Sequence, residues 1–421
     1  MNKIIQLILK ILAKAIIYKH RPKIIGITGS VGKTSTKEFV YQVLFKKYRV
    51  RKNIKNYNNE IGLPLTIIGL ESPGRSISGW LKLFFKSLEV LFKKGYPEIL
   101  VLEMGIDKPG DMAYLLSIVK CDVGILTRIG YSHLEYFKTI EKVREEKGLL
   151  VKSLDEKNWA VLNYDDENVR SLATETHANV LTYGSNDLAI VKAQNIRFEK
   201  HGNSFGSEFD VVYKNIVHVS LDGLVGKPVI EASLAAACVG MIFDIDPSEI
   251  PLALKEINPI AGRMNFIAGQ NDSIIIDDTY NASPQSTIAA LNTAKEIDAE
   301  GRRIAVLSDM LELGEKAEEG HREVGKRVAE LGFDILIAVG KDSYFTALSA
   351  KIAGMDPNNV FYFKEHGEVP EFLLKSIQPA DLILVKGSQG MRMEKIVKQI
   401  MAEPEKAGEL LVRQDEEWLK K

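Results

Sequence analysis

The residues best placed to do chemistry lie near the start of the chain. The stretch "IIGITGSVGKTSTKEF", Ile24 to Phe39, reads as a buried β-branched strand, a glycine-rich turn and a helix. In such a turn the glycines let backbone N–H groups converge on phosphate oxygens, and the following helix presents its positive N-terminus to them. The loop comprises Thr28, Gly29, Ser30, Val31, Gly32, Lys33, Thr34 and Ser35. Lys33 is spaced to reach the outer phosphates of a nucleotide, and the Thr34 hydroxyl to ligate Mg²⁺. The strict pattern would put glycine at position 27, where Ile27 stands; the glycines are Gly26, Gly29 and Gly32, a variant loop. By itself the loop specifies nucleotide and Mg²⁺, not a reaction.

The elements that must hold it follow from periodicity. "KIIGIT", "EILVLEM" (98–104), "DVGILT" (122–127) and "NWAVLN" (158–163) read as buried parallel strands with helical segments between most of them, a doubly wound pattern. Residues 178–222 alternate and suggest an antiparallel extension, and "VIEASLAAACVGMIF" (229–243) is a small-residue helix suited to close packing on a sheet. Pro and Gly break the pattern at "EINPIAGRM" (256–264), after which "SIIIDD", "RIAVLSD", "DILIAVG" and "DLILVKG" begin a second alternation. The expected class is α/β: a basic amphipathic segment (1–22), a central phosphate-loop domain with a mostly parallel sheet (23–258), and a smaller Rossmann-like C-terminal domain (259–421). The tail "QDEEWLKK" is expected to be a frayed end or a short surface helix.

Composition narrows the class. Of 421 residues, 45% are hydrophobic and 26% charged, with a formal net charge of −1; this describes a globular protein without the basic footprint of a nucleic-acid binder. Cys121 and Cys238 stand far apart with no CxxC spacing, which argues against a disulfide framework or a structural zinc and for a reducing cytoplasm. The first 23 residues hold six Lys/Arg and no acid, and Lys3, Lys10 and Lys14 interrupt the apolar run, so it is too short and broken to span a bilayer. No small-residue cleavage site follows it. Lys3, Gln6, Lys10 and Lys14 share a helical face, as do Lys82, Lys86, Glu89 and Lys93 of "WLKLFFKSLEVLFKK" (80–94). Two readings stand for each segment: it lies on an anionic membrane, or it packs its apolar face on the protein itself.

The phosphate loop resembles the variant of the Mur ligases and folylpolyglutamate synthases, and the resemblance runs on along the chain. "NYNNEIGLPLTI" (56–67), containing Asn58 and Asn59, is similar to a segment of that family; "EMG" closes a strand with Glu103; "YSHLEYFKTIEKVREEKGLL" (131–150) carries His133 and, fourteen residues later, Lys147. The resemblance implies that Thr34 and Glu103 with His133 serve two divalent ions, that Lys33, Glu103, His133 and Lys147 are catalytic, and that Lys147 is carbamylated into a metal-binding carboxylate. Taken singly, His133 would read as a structural histidine and Lys147 as a solvated helix lysine. "DDTYNASP" (277–284), "SDMLELGEKAEEGHREVG" (308–325) and "LVKGSQGMRMEKIV" (384–397) resemble the branch of the family that adds D-alanyl-D-alanine to a UDP-muramoyl-tripeptide.

That branch implies ATP-dependent amide formation through an acyl phosphate, with a muropeptide precursor and the D-Ala-D-Ala dipeptide as partners. A cytoplasmic monomer is expected, and the membrane reading of the amphipathic segments adds peripheral contact at the inner face of the membrane through residues 1–22 and 80–94. The resemblance also implies that Arg263 touches nucleotide or phosphate and that Asp278, Tyr280 and Asn281 face the nucleotide, although these three also fit a helix cap and turn. Asp309, Glu312 and His321 are expected nearer the incoming amine, Asn58 and Asn59 at the substrate, and Lys386 and Ser388 at the dipeptide carboxylate. The chain departs from the pattern at Pro228 and Val229, where the family has His-Asn, and at Gln389, where it has Arg. Family members also begin with a domain that binds the uridine diphosphate sugar, and here only residues 1–22 precede the loop region. Two alternatives follow: a ligase of the same type for another acceptor, lipid-linked or glutamyl, and a non-catalytic ATP-binding protein. The Gly32-Lys33-Thr34, Glu103, His133 and Lys147 set argues against the latter, since a scaffold needs no second metal site.

Overall fold

A computed structural model describes residues 2–54, 57–74, 76–130, 134–201, 204–415 and 418. Asn56 and His133 of the motifs above, and part of the tail, lie outside the described residues.

The first sheet comprises β1 (Lys23–Thr28), β2 (Val50–Lys52), β3 (Ile99–Glu103), β4 (Val123–Leu126), β5 (Trp159–Asn163), β6 (Asn179–Gly184), β7 (Val191–His201), β8 (Ser204–Tyr213) and β9 (Asn215–Asp222), in the order β2-β3-β1-β4-β5-β6-β7-β8-β9; β1, β3, β4 and β5 are apolar runs buried almost throughout, whereas β7 to β9 mix polar and apolar positions. Pairing is parallel as far as β7 and antiparallel from β7 to β9. The pleat sends Ile24 to one face and Ile25 and Ile27 to the other, and all three are buried because helices cover both sides. One layer comprises Asn2–His20, Gly62–Ile68, Ile77–Phe92 and Ile140–Lys152; the other comprises Lys33–Phe45, Lys227–Ile242 and Glu249–Leu254. The small-residue helix Lys227–Ile242 is buried over most of its length, and a Cβ on Gly240 would stand 3.1 Å from Val43 of the phosphate-loop helix.

The second sheet is β10 (Asn265–Ala268), β11 (Ile274–Asp278), β12 (Arg303–Ser308), β13 (Ile335–Val339), β14 (Val360–Phe363) and β15 (Leu382–Lys386), in the order β10-β11-β15-β12-β13-β14, parallel except for β10. The strands β2, β10 and β14 escape the sequence reading because they are short and only partly buried, without the continuous apolar run that marks the equally short β4. The two sheets are tied where the β7–β8 hairpin carries Phe205 into the second core, its ring 5.6 Å from that of Phe266. Just before the tail the buried Arg413 guanidinium donates to Thr279 O at 3.1 Å and pairs with Glu394 at 2.9 Å, and Arg392 donates to Trp418 O at 3.2 Å.

Helices Ala317–Glu330 and Ser343–Ile352 meet at Gly325, where a Cβ would lie 2.1 Å from the backbone oxygen of Thr346. Backbone cannot yield as a side chain can, so Gly325→Ala is expected to lower stability by about 1–3 kcal/mol, read as a lower urea midpoint at unchanged slope.

Candidate active site

In the first sheet β1 lies between β3 and β4; the chain runs from β1 toward β2 on one side and from β3 across to β4 on the other, so a crevice opens beyond the ends of β1 and β3. The phosphate loop fills that crevice. Gly29 (φ 153°) leaves no room for a Cβ, which would sit 2.0 Å from Thr127 Oγ1. Gly32 takes the left-handed conformation (φ 89°) that starts the helix Lys33–Phe45. The Thr127 hydroxyl braces the loop by donating to Val31 O at 2.6 Å. Lys33 folds back to donate to Gly29 O at 2.7 Å. Burial pushes its ammonium below the ordinary lysine range; Glu103 opposes that and Arg263 adds to it.

The β1–β3 register sets Glu103 opposite Ile27. Its buried carboxylate accepts from the Thr34 hydroxyl at 3.1 Å and from Asn58 Nδ2 at 3.2 Å, and stands 3.7 Å from the buried Lys37 ammonium. Asn53 Oδ1 accepts from the Glu103 N–H at 2.6 Å. Thr34 Oγ1 and the Glu103 carboxylate are hard oxygen donors side by side, a set that fits Mg²⁺. Among the described residues no three His, Cys, Asp or Glu side chains converge on a metal position. Lys147, on helix Ile140–Lys152, is buried, not solvated. Burial and the neighbouring Lys33 charge drive its amine well below the ordinary value, against Asp107 and Glu146.

Across from the loop, register in the second sheet sets Asp278 opposite Lys386. The buried Lys386 ammonium pairs with Asp278 at 2.6 Å and donates to Asn281 O at 2.9 Å. Arg263 spans the gap: Nη2 donates to Thr34 Oγ1 at 3.4 Å, and the guanidinium lies 4.1 Å from the Tyr280 ring centroid. Between the two sheets lies a cleft of about 460 Å³, lined by residues 30–35, Asn58, Asn59, Glu103, Arg263, Asp278, Tyr280, Asn281, Glu312 and Lys386, with Pro228, Val229 and Gln389 also on its wall.

Four expected site residues are placed differently. Thr28 is buried and its hydroxyl donates to Met104 O at 2.9 Å. Asp309 spends its carboxylate on Ser343, accepting from N–H at 2.7 Å and from the hydroxyl at 2.8 Å. His321 is buried with both ring nitrogens engaged: Nε2 accepts from the Met310 N–H at 3.0 Å, which puts the proton on Nδ1, 2.7 Å from Ala317 O. Ser388 Oγ accepts from the Leu311 N–H at 2.8 Å. Asp309, His321 and Ser388 thus shape the loop that carries Glu312 into the cleft and do not themselves line it.

Lys37, Asn53 and Arg413 were missed. Lys37 had a signal, since four residues from Lys33 is one helical turn; Asn53 and Arg413 reach their partners only through the fold.

A phosphate loop at the switch point of a parallel sheet, faced by charged side chains from a second α/β sheet, defines a nucleotide-binding protein that works across a cleft. Comparison with known proteins narrows this further. The chain matches the Mur ligase middle domain over residues 27–77 and 84–240 and the Mur ligase, glutamate ligase domain over 262–389. Over 396 residues it is 30% identical to the UDP-N-acetylmuramoyl-tripeptide–D-alanyl-D-alanine ligase of Bacillus subtilis, covering 93% of this chain and 79% of that one. The ligase of the same name from Borreliella burgdorferi is 28% identical over 391 residues, 93% and 77% of the two chains. The crystal structure of MurF ligase from Thermotoga maritima in complex with ADP matches with a TM-score of 0.77 at 27% identity, covering 94% of this chain and 84% of that one. This chain belongs to the Mur ligase family.

Two substitutions test the electrostatics. Glu103→Gln replaces the charged carboxylate with a neutral amide oxygen and is expected to raise the Mg²⁺ concentration needed for nucleotide binding by about tenfold or more, read by titration calorimetry. Asp278→Asn strands the buried Lys386 charge and is expected to cost about 3 kcal/mol, measured by denaturant unfolding.

Proposed function

We propose that this protein is an ATP-dependent ligase that joins D-alanyl-D-alanine to the terminal carboxylate of a UDP-muramoyl-tripeptide in peptidoglycan precursor synthesis. The observation that carries the reading is the meeting of Lys33, Thr34 and Glu103 with Arg263, Asp278 and Lys386 in one cleft, in a chain similar along most of its length to ligases of that name. ATP as the nucleotide is supported by the ADP complex of the Thermotoga maritima relative.

The chemistry divides into two displacements. An acceptor carboxylate oxygen attacks the γ-phosphorus, the bond to the bridging oxygen breaks, and ADP leaves an acyl phosphate. The dipeptide amine then attacks the acyl carbon, phosphate departs with the C–O electron pair, and the amine releases a proton. Such transfers need positioning and charge neutralisation more than covalent help. Lys33 and the loop N–H groups hold the outer phosphates; Arg263 supplies positive charge from the opposite wall; Asn58 and Asn59 border the acceptor side, and Glu312 and Lys386 the side of the incoming dipeptide. Thr34 and Glu103 would hold Mg²⁺, which supplies further neutralisation. A second ion with His133 as a ligand belongs to the same reading.

The carbamate on Lys147 is also part of it. An amine must be neutral to attack carbon dioxide, and burial beside the Lys33 charge shifts the Lys147 amine toward that form, against Asp107 and Glu146. A high-resolution density map is expected to show the extra carboxylate on Lys147; an ordinary ammonium there overturns this element. The reading further includes division at residues 22/23 and 258/259, a monomer, and a cytoplasmic enzyme in peripheral contact with the membrane. Among the described residues no helix is long and apolar enough to cross a membrane.

A second reading keeps the chemistry and changes the acceptor to a lipid-linked or glutamyl one. It is favoured by a smaller cavity of about 290 Å³ beside the first, which shares Asn59, Gly105 and Asp107 with it and has Gln6 of the N-terminal helix in its wall. The assay is phosphate release from ATP with UDP-muramoyl-tripeptide and D-Ala-D-Ala. Release is expected with wild type and loss by about 10³-fold or more with folded Lys33→Ala. Retained turnover overturns the phosphate assignment, and release with only a lipid-linked acceptor selects the second reading.

A further inference from the structure

Helix Asn2–His20 is apolar on two sides. Ile5, Leu9, Ala13 and Ile16 are buried in the core beneath it, while Ile4, Leu7, Ile11 and Tyr18 point outward, Tyr18 78% exposed. Helix Ile77–Phe92 repeats the arrangement. Trp80, Leu83 and Ser87 are buried; Ile77, Leu81, Phe85, Leu88 and Phe92 recur every three or four residues on its outer side, with Phe85 70% and Phe92 77% exposed. Both helices bury their inner sides in the same core over one face of the first sheet, and His20 Nε2 lies 3.1 Å from Val90 O where they touch. Their outer stripes therefore look away from the same side of the molecule. Single exposed apolar residues are ordinary, but two adjacent helices with full outward stripes call for a partner.

The flanking charges say which one. Lys3, Lys14, Lys19 and Arg21 are exposed on or just beyond the first helix, which contains no acid. Lys82, Lys86, Lys93 and Lys94 are exposed beside the second stripe, with Glu89 the lone acid of that helix. The whole chain carries −1, so this excess is local. A second copy docked by two-fold symmetry would set lysines against lysines. A phospholipid surface offers acyl chains to the stripes and phosphates to the lysines.

We propose that the outward sides of Asn2–His20 and Ile77–Phe92 together form a docking face for an anionic phospholipid bilayer, with both helices lying in the interfacial plane. This gives a chemistry and a set of atoms to the membrane contact in the proposed function and rests on that part of the reading. Gln6, on the first helix, also borders the smaller cavity beside the phosphate loop, so docking brings that cavity close to the lipid surface.

The test is sedimentation of the full-length protein with vesicles of phosphatidylglycerol and phosphatidylcholine, against phosphatidylcholine alone. Binding is expected to the anionic vesicles, weakening as salt is raised. The double variant L81E/F85E, at exposed positions, is expected to lose about tenfold or more of that binding while keeping its thermal melt and its phosphate release with soluble acceptor. The variant K82E/K86E is expected to lose the preference for anionic lipid. Wild type that stays in the supernatant, equal binding by wild type and L81E/F85E, or a dimer in light scattering that Phe85→Glu dissociates, each overturns the proposal. Vesicle binding by a protein silent in the ligase assay would overturn the catalytic reading and leave the docking face standing.

Discussion

A carboxylate removed from water must be met by partners, and in this protein that requirement falls on Glu103. At 5% exposure its side chain could not persist without the Thr34 hydroxyl, the Asn58 amide and the Lys37 ammonium around it. Thr34 and Lys37 come from one turn of the phosphate-loop helix and Asn58 from a separate segment. Meeting them requires the phosphate-loop helix to pack on one face of the sheet, Asn53 and Asn58 to lie at the end of β3, and β1 and β3 to pair in a single register. A one-residue slip of β3 would turn Glu103 to the opposite face of the sheet. The phosphate loop is thus held both by its own glycines and by the carboxylate beneath it.

The second sheet meets this arrangement with another buried pair, Asp278 with Lys386, set opposite each other by parallel register. Two guanidinium groups approach the ring of Tyr280: Arg263 at 4.1 Å and Arg413, from the C-terminal segment, at 5.7 Å. Arg263 also reaches Thr34, so one side chain reports on both walls of the cleft. Such a connection suits a reaction in which nucleotide and two further substrates must be gathered before anything happens. Asp309 and His321 support this at a distance: they hold the turn in which Glu312 takes a positive φ of 65°.

The layer on the opposite side of the first sheet from the phosphate-loop helix has a different character. Its two outermost helices bury one apolar side and expose another. Amphipathic periodicity normally marks a single inward stripe, and a second stripe bordered by lysines is a surface feature of the folded molecule rather than a requirement of its core. Catalytic cleft and docking face thus occupy different parts of one α/β frame.

Much of this was legible in the chain. β1, β3, β4, β5 and the principal strands of the second sheet follow from β-branched runs, and the loop from its glycines and Lys33, because those signals depend only on neighbours in sequence. Glu103, Asp278 and Lys386 were found as strand-end residues in recognisable motifs. The sequence could not reveal that Lys37 sits under Glu103, that Arg413 returns from the C-terminal segment to grip the Tyr280 loop, or that Asp309, His321 and Ser388 turn away from the cleft. Those assignments depend on which side chains lose water and which donors meet them, and partners more than a hundred residues apart, such as Thr279 and Arg413, are chosen only when the sheets assemble. Local chemistry determined which groups the protein carries; packing decided which of them face the cleft and which the core.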